Sequence, residues 1–547
     1  MNPTGTACHL SIALAVIAYG LDPIREALIQ LAVCVNDTKT ATEKCANHVR
    51  WMRELGKFLQ EWTRMETAEG FNTTAETEDY VEEQSRQLLD PIDPSPLYRA
   101  MQKLPQQLTI EPNELGDAVT ALVKVLQSIR QGVAAVEPPS VQVLLQELLT
   151  VTVDGGLTHS VITGMRKVVR KDPPLDKNPR EEHSTSNKHQ QLSSLPTTVR
   201  EKLLKRRPMM CPFHVGNQGP GASSLSEALR QAVSPQKLEE YQWRATASVS
   251  YREYLVEDDT SLTEYDWPID SDGWSTGKKL CIDQLPGLWL IHVDCIRGLK
   301  KDDSEKTAWN SQMSLMEIPL KLDARSLVEP PIPENGDRSC SLDDKDYQAD
   351  PSRTCLDYDF VGGILHVQEK DNGETLASQE DDVENGHYMA VVNYNEDWFL
   401  IDDEDCVAIT KHMCYTMLSG CCGDAICNDD SENDDDNPFW STKSGQRLQG
   451  TYICGSLLVY RRRDLSEIAT PILSKLHLEL SRACDEVAIQ PQEQWLGRRL
   501  RVQWAGGKFY AGVITSYDPE TGKHQVTYED GDVRTYRLDK KTIQWLN

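Results

Sequence analysis

The first part of the chain, residues 10–130, carries apolar side chains at intervals of three and four positions, the period of an amphipathic helix. The pattern is regular in residues 24–33 and 115–129, and it predicts that the chain opens with a helical lobe. The apolar stretch 10–17 is shorter than the roughly 20 residues that cross a bilayer. It therefore predicts a buried helix and no membrane role.

Short apolar runs with strand character follow, and they predict that the second lobe is largely sheet. They lie at residues 288–293, 363–368, 390–394, 398–401 and 455–460. The segment 465–488 returns to helical spacing. After residue 495, alternating apolar residues separated by turn signals predict four or five short antiparallel strands in a small closed barrel. The whole pattern predicts an α+β chain followed by a small all-β module.

Two segments interrupt this pattern. Residues 170–207 are rich in Pro, Ser, Asn, Lys and Arg, and residues 424–437 contain an acidic run. Low apolar content and self-repelling charge keep such segments from packing, so both are predicted to be flexible insertions.

The charge and cysteine content narrow the class of protein. The 547 residues include 85 acidic and 57 basic side chains, a formal charge of -28, which argues against a surface that coats nucleic acid and favours a basic partner. The 15 cysteines lack the regular spacing of a disulfide scaffold, and no basic signal segment precedes residue 10. The sequence predicts an intracellular protein of the nucleus or cytoplasm. The basic cluster 202–207 is a candidate nuclear address, although solvated surface is the commoner explanation.

A candidate nucleophile stands near the start of the chain. Cys8 follows a turn of small residues and precedes the apolar run. A thiol at a helix N-terminus lies at the positive end of the backbone dipole, which favours the nucleophilic thiolate. A lone cysteine in such a place is more often a buried structural residue. Cys8 alone is therefore a weak signal.

A candidate base and its orienting group lie far downstream. His387 starts one apolar strand pattern and Asp402 ends the next. Two adjacent antiparallel strands would bring the two side chains together, and the carboxylate would orient the imidazole. The spacing alone does not connect Cys8 with this pair, and a lone histidine on a strand is more often structural.

The turn around Cys8, the Gly-His-Tyr sequence at His387 and the Trp-x-x-x-Asp-Asp sequence ending at Asp403, in this order, resemble the ubiquitin-specific protease family. Weaker blocks follow the family's order at residues 115–122, 224–229, 285–292, 318–323 and 452–462. An ordered series of blocks is far more specific than any single block. The resemblance covers roughly residues 1–463.

This resemblance implies a papain-like cysteine protease fold, with a helical thumb and a palm and fingers of sheet. It implies hydrolysis of the isopeptide bond after the last glycine of ubiquitin. Carried over by position, Cys8 is the nucleophile, His387 the base, Asp402 the orienting carboxylate and Asp403 an auxiliary. The implied partners are ubiquitin and ubiquitinated proteins, and no cofactor is implied.

Some positions depart from the family pattern. The family places an asparagine side chain in the oxyanion hole five residues before the cysteine, but that position is Pro3 here, and Asn2 one step earlier is the remaining candidate. The family's Glu-Phe on a thumb helix is Thr120-Ala121, and the usual aromatic residue after the cysteine is His9. These changes leave open a slow or inactive member of the family.

The chain also lacks the family's paired Cys-x-x-Cys knuckles, which bind zinc in many members. At the second knuckle, Trp243 and Thr246 stand where the cysteines would be. Cys421, Cys422 and Cys427 have no partners at ligand spacing. The sequence predicts no structural metal.

The last module, residues 491–547, is predicted to follow a helical linker at 464–490. Its Val-x-Trp, Phe-Tyr-x-Gly-x-Val and Tyr-x-Asp-Gly-Asp sequences, in this order, resemble the Tudor members of the Royal family. The resemblance implies a cage that holds a methylammonium group by cation–π attraction, formed by Trp504, Tyr510, Tyr528 and Asp530. In so small a barrel the same aromatic residues could instead form the core.

Three alternatives to an active deubiquitinase remain open: a catalytically impaired relative that binds ubiquitin, a chromatin or nucleic-acid adaptor, and an unrelated cysteine hydrolase. The intact Cys8, His387 and Asp402 favour the active enzyme. The basic segment 498–501 could contact phosphate, so weak nucleic-acid binding is expected only in the last module. A methylated histone or another methylated protein is the expected partner of this module.

Overall fold

A computed structural model gives the fold of the chain. The residues that it describes are 8–34, 43–68, 94–110, 117–167, 197–215, 222–238, 241, 243, 252–256, 273–293, 316–328, 356–369, 387–402, 405–423, 442–488, 495–504, 507–518 and 521–546. Within these residues the chain forms a helical lobe and three sheets, of nine, six and five strands.

The helical lobe comes first in the chain. Its helices are α1 (Cys8–Gly20), α2 (Asp22–Cys34), α3 (Glu43–Ala68), α4 (Ser95–Met101), α5 (Ala118–Val133) and α6 (Pro139–Leu149). Residues 9–18 of α1 are all buried, because this stretch is apolar around nearly its whole circumference and other elements surround it. The helix α5 begins where it does because the Asp117 side chain accepts hydrogen bonds from the N–H groups of Val119 and Thr120. The predicted helical lobe is confirmed.

Fifteen strands follow within the described residues before the last module. They are β1 (Leu157–Lys167), β2 (Thr197–Leu203), β3 (Arg207–Pro208), β4 (Phe213–Val215), β5 (Gln236–Lys237), β6 (Arg252–Val256), β7 (Ser275–Gln284), β8 (Leu288–Val293), β9 (Lys321–Asp323), β10 (Asp357–Glu369), β11 (His387–Tyr394), β12 (Asp397–Asp402), β13 (Asp405–Ile409), β14 (Cys421–Cys422) and β15 (Thr451–Arg462). All five strands predicted from the apolar runs lie within this set.

The nine-stranded sheet separates two hydrophobic cores. Its order is β13-β12-β11-β10-β15-β8-β4, with β14 paired to β15 and β9 to β10. Side chains alternate along β15, so Leu457 and Val459 pack with the helical lobe while Leu458 and Tyr460 face the second core. Residues of two further helices contribute to that second core, α7 (Leu225–Val233) and α8 (Lys411–Ser419).

The six-stranded sheet follows the order β5-β7-β1-β2-β6, with β3 paired to β1. Its strand β2 contradicts the predicted flexible insertion at 170–207, because residues 197–203 pair with β1, for example Val199 with Met165. The β-branched residues 197–199 are buried there, a local signal that the polar composition around them concealed. Residues 168–196 and the second predicted insertion, 424–437, lie outside the described residues.

Two more helices complete the part before the last module, α9 (Lys443–Leu448) and α10 (Leu465–Ala488). The helix α10 lies where a linker is predicted, but it packs against α2 and α6 and adds Leu476 and Leu480 to the core of the helical lobe. It is therefore part of that lobe and not a free connection. Among the described residues, no helix is both long and apolar enough to cross a bilayer.

The last module is a five-stranded antiparallel sheet, as its alternating pattern predicts. Its strands are β16 (Arg499–Gln503), β17 (Phe509–Asp518), β18 (Lys523–Tyr528), β19 (Val533–Tyr536) and β20 (Ile543–Trp545), in the order β19-β18-β17-β16-β20. Inward-facing side chains form its own small core, which includes Leu500, Val502, Ile514 and Val526.

Candidate active site and aromatic cage

Strand pairing brings His387 and Asp402 together. His387 is the first residue of β11 and Asp402 the last residue of β12, and these strands are antiparallel neighbours. His387 Nε2 lies 2.5 Å from Asp402 Oδ1. A neutral imidazole that donates through Nε2 keeps its lone pair on Nδ1, the nitrogen that can then act as a base.

The helix that begins at Cys8 lies against the same strand. Cys8 is the first residue of α1, and α1 packs on β11 and β10. The structure therefore places the first helix in contact with the strand that carries the histidine. The side chain of Cys8 lies outside the described residues, as do Asn2 and Asp403. Their parts in the site stay predictions.

The sequence did not reveal Arg447, which extends from α9 to the His387–Asp402 pair. Its Nη1 donates a hydrogen bond to Asp402 Oδ1 and lies 3.0 Å from His387 Nε2. The Asp402 side chain is only 1% exposed, and within the described residues its buried Oδ2 has no hydrogen-bond partner. No local sequence signal marks Arg447, because the contact joins residues 45 positions apart.

A second histidine, His366, lies on the strand next to that of His387. His366 on β10 is buried opposite Tyr388 on β11, with ring centroids 5.0 Å apart. Burial lowers the pKa of His366 below its ordinary value, the charge of Asp117 raises it in part, and His387 lowers it further. The neutral form of His366 is therefore favoured near neutral pH.

Two departures from the family pattern lie on α5 at its N-terminus. The Thr120 side chain donates to Asp117 Oδ2 at 2.6 Å and thereby completes the helix cap, while Ala121 is buried among the helices. His9, the third departure, is also buried, and its Nδ1 has no hydrogen-bond partner within the described residues. These substitutions are accommodated by the helical lobe and leave the geometry of His387 and Asp402 intact.

An aromatic cluster occupies the six-stranded sheet near the position of the missing zinc knuckle. Trp243 Nε1 donates to Thr276 Oγ1 at 3.0 Å, and the Trp243 ring lies 6.0 Å from that of buried Trp274. The Arg200 guanidinium lies over the Trp274 ring at 4.2 Å. In the described part of the chain, no three His, Cys, Asp or Glu side chains gather as a metal site would require. The absence of a structural metal remains a prediction.

In the last module, the three predicted cage aromatics lie together. The ring of Trp504 is 4.4 Å from that of Tyr510 and 5.1 Å from that of Tyr528. Tyr510 is 38% exposed, but Tyr528 is 5% exposed and belongs to the barrel core. The Tyr528 hydroxyl accepts from Trp504 Nε1 and donates to the Tyr536 hydroxyl, both at 3.0 Å. Tyr528 thus holds the Trp504 ring through a hydrogen bond from the barrel core. Trp504 and Tyr510 form the accessible part of the cluster.

A cation of the chain itself already lies on this aromatic surface. The Arg534 guanidinium is 3.8 Å from the centroid of the Trp504 ring, and its Nε donates to Asp532 Oδ2 at 2.8 Å. Asp530, the predicted acidic member of the cage, is exposed and accepts a hydrogen bond from the Asp532 N–H. Arg534 was not among the predicted residues, since cation–π contacts across strands carry no local sequence signal.

Comparisons with known proteins cover both parts of the chain. Residues 2–434 match the family model described as ubiquitin carboxyl-terminal hydrolase, and residues 497–534 match the one described as PTM/DIR17-like, Tudor domain. Among curated proteins, the chain is similar to the DNA mismatch repair protein MSH6 of Arabidopsis thaliana, at 38% identity over 61 residues. These are 11% of this chain and only 5% of that protein, so the chain spans a small part of its curated relative.

Two solved structures are also similar. One is the SAGA Ubp8/Sgf11/Sus1/Sgf73 DUB module bound to ubiquitin aldehyde, at 13% identity and a TM-score of 0.41, over 85% of this chain and 69% of that chain. The other is the Arabidopsis RDM15 tudor domain in complex with an H3K4me1 peptide, at 36% identity and a TM-score of 0.10, over 10% of this chain and 95% of that chain.

Proposed function

Because this chain belongs to the ubiquitin carboxyl-terminal hydrolase family, we propose that it is a thiol-dependent deubiquitinase that hydrolyses the isopeptide bond after the C-terminal glycine of ubiquitin. The observation that carries this proposal is the contact of 2.5 Å between His387 Nε2 and Asp402 Oδ1, on a strand that packs against the helix beginning at Cys8. Ubiquitin and ubiquitinated proteins are the proposed partners.

The proposed reaction has two stages. His387 Nδ1 takes the proton of the Cys8 thiol, and the sulfur attacks the carbonyl carbon of the last ubiquitin glycine. N–H groups at the start of α1, which have no acceptor within the helix itself, stabilise the oxyanion, with Asn2 as a candidate additional donor. His387 then gives its proton to the leaving lysine amine as the C–N bond breaks. Water hydrolyses the thioester and the thiol is restored. In this scheme Asp402 orients the imidazole, and Asp403 is an auxiliary.

Covalent labelling tests this assignment. A ubiquitin with an electrophile at its C-terminus is expected to form one adduct with the full chain and none with Cys8→Ala. Cys406→Ala, which removes an exposed thiol elsewhere on the sheet, serves as the matched control and should label normally. Labelling that persists in Cys8→Ala would show that another thiol reacts. Ubiquitin binding without labelling or turnover would favour the catalytically impaired relative.

The second part of the proposed function concerns the Tudor domain, for which Trp504 and Tyr510 present an accessible aromatic surface. A methylammonium group binds such a surface by cation–π attraction. We propose that this surface binds a methylated lysine or arginine and brings the protease to a methylated protein such as a histone, which would place the chain in the nucleus. Binding of the full chain to a monomethyl-lysine histone H3 peptide, compared with the unmodified peptide, tests it. Equal affinities would contradict the proposal.

The division of the chain is proposed on the same basis. Residues 1–463, together with the helix α10 that follows them, form the catalytic domain, and residues 491–547 form the Tudor domain. The predicted linker 464–490 includes α10, which we assign to the catalytic domain because it packs on α2 and α6. Limited proteolysis followed by mass spectrometry is expected to leave a stable fragment that retains α10 together with the catalytic residues.

A further inference from the structure

Arg447 contacts both members of the histidine–carboxylate pair. Its Nη1 donates to the same Asp402 oxygen that His387 Nε2 approaches, and the two nitrogens are 3.0 Å apart. The Asp402 side chain is 1% exposed, whereas the Arg447 side chain is 44% exposed. A buried carboxylate is costly unless charge and hydrogen bonds compensate it. Arg447 supplies that compensation from the solvent side.

The approach of Arg447 to His387 acts through charge. In the proposed reaction His387 Nε2 keeps a proton and donates it to Asp402 Oδ1, and a guanidinium nitrogen only donates, so Arg447 Nη1 donates to Asp402 and not to Nε2. When His387 is doubly protonated, Nε2 holds a proton and the ring carries a positive charge beside the guanidinium. Like charges at this distance disfavour the doubly protonated form. The negative charge of Asp402 favours the doubly protonated form of His387. Arg447 weakens this attraction because it donates to the same oxygen, Asp402 Oδ1.

We propose that Arg447 is a positioning residue for the proposed deubiquitination reaction: it holds the Asp402 carboxylate and limits the second protonation of His387. The inference deepens the proposed function and rests on it for its catalytic meaning. An acid and a permanent cation, which both approach Nε2, thereby set the charge of His387.

The structure shows charged and titratable groups beside His387 on three elements. From β12 it faces Asp402 and from α9 Arg447. On β10 the neighbouring titratable group is His366, whose pKa is raised in part by the charge of Asp117. From α1 the Cys8 thiol is the expected fourth neighbour. Because burial favours neutral His366, the removal of Arg447 would take away the cation shown beside His387 and leave the charge of Asp402 in place.

The test measures His387 directly. In the Cys8→Ala chain, which has no thiolate, NMR titration of the histidine Cε1–H signals gives the imidazole pKa, and loss of one of the signals of the 12 histidines in His387→Gln assigns it. Arg447→Gln is expected to raise the His387 pKa by about half to one unit, because a partly exposed cation is removed. Arg447→Lys retains the charge and should leave the pKa within about 0.2 unit of the parent.

The pH profile of kcat/KM on a ubiquitin C-terminal fluorogenic amide gives the catalytic readout. In the Cys8 enzyme, Arg447→Gln should move the acid limb, where activity rises as His387 loses its second proton and becomes the base, upward by a similar amount. Arg463→Gln is the matched control, since Arg463 pairs with Asp359 on the same sheet and is 43% exposed. It should move neither quantity. Arg447→Met replaces Arg447→Gln if the latter lowers the melting temperature strongly.

The outcomes separate the two proposals. An unchanged His387 pKa in Arg447→Gln and Arg447→Met, or an equal shift in Arg447→Lys, overturns the positioning assignment even if the chain is an active deubiquitinase. A uniform loss of activity at every pH without a shifted limb also overturns it. The expected pKa shift in a chain that does not hydrolyse ubiquitin supports the charge assignment and refutes the proposed function.

Discussion

The two candidate sites of this chain each contain an arginine, and the two arginines lie in opposite surroundings. In the nine-stranded sheet, Arg447 pairs with Asp402, whose side chain is 1% exposed. In the Tudor domain, Arg534 pairs with Asp532, whose side chain is 40% exposed, and lies over Trp504. A buried charge depends on its partner, whereas water solvates an exposed one without it. Arg447 therefore belongs to a fixed arrangement, whereas the displacement of Arg534 by a ligand should cost little.

The largest effect is expected for His387, the proposed general base. His387→Ala should lower kcat/KM on a ubiquitin C-terminal amide by at least about 10³-fold, because the thiol loses its proton acceptor and the leaving amine its donor. The melting temperature and ubiquitin affinity should remain close to those of the parent. A variant that unfolds would instead show that His387 is a structural residue.

A smaller but still large effect is expected at the carboxylate. Asp402→Asn should lower kcat by about 10²-fold or more, since the imidazole loses the acceptor that fixes its orientation and Arg447 loses the charge it compensates. Steady-state kinetics at several pH values measure the loss. The Asp402→Ala variant should be strongly impaired as well, with the fold and ubiquitin binding retained. Activity near the parent level in both would remove Asp402 from the site.

In the Tudor domain, Trp504→Ala should remove the preference for methylated over unmodified peptide. A cation–π contact of this kind contributes about 1 to 2 kcal/mol, so the preference expected in the parent is roughly tenfold, at micromolar affinity. Titration of the full chain with paired peptides measures it, and circular dichroism checks that the barrel is folded. If the substitution simply melts the domain, Trp504 is a core residue and the surface is a scaffold.

Arg534→Ala sharpens the comparison further. Arg534 lies over the ring of Trp504, which is part of the proposed methylammonium site, so its removal should tighten binding of the monomethyl-lysine peptide by about two- to fivefold. Arg537→Ala removes an exposed arginine just after β19 and controls for the change in net charge. Weaker binding in Arg534→Ala alone would mean that Arg534 is a wall of the ligand site and not a competitor.

No effect is expected from the removal of metal ions. Since Trp243 and Thr246 replace the knuckle cysteines, a chelator should leave the melting temperature of the chain unchanged, and elemental analysis should find no stoichiometric zinc. The Trp243–Trp274 cluster should instead be the sensitive point of this sheet, because a Cβ added at Gly164 would come within 2.6 Å of the Trp243 ring. Gly164→Ala therefore provides the positive control, with a lowered melting temperature.

Much of the fold could be predicted because its signals are local. The apolar period of α1 and α5, the five apolar strands and the alternating pattern of the Tudor domain all appear in the structure at their predicted positions. The strand β2 was not predicted, because its Thr-Thr-Val start lies in a polar segment and its strand is stabilised by pairing with β1 and β6. The helix α10 was predicted as a helix, but only packing on α2 and α6 shows that it belongs to the catalytic domain.

The amino-acid sequence by itself determined the helix that begins at Cys8, the strands that carry His387 and Asp402, and the aromatic positions of the Tudor domain. Periodicity and ordered motifs encode these features over a few residues. The tertiary structure alone decided that Arg447 shares an oxygen of Asp402, that Arg534 covers Trp504 and that Tyr528 is a core residue. Burial and charge compensation join residues far apart in the chain, and the cost of an unpaired buried charge becomes visible only when the packed surroundings are known.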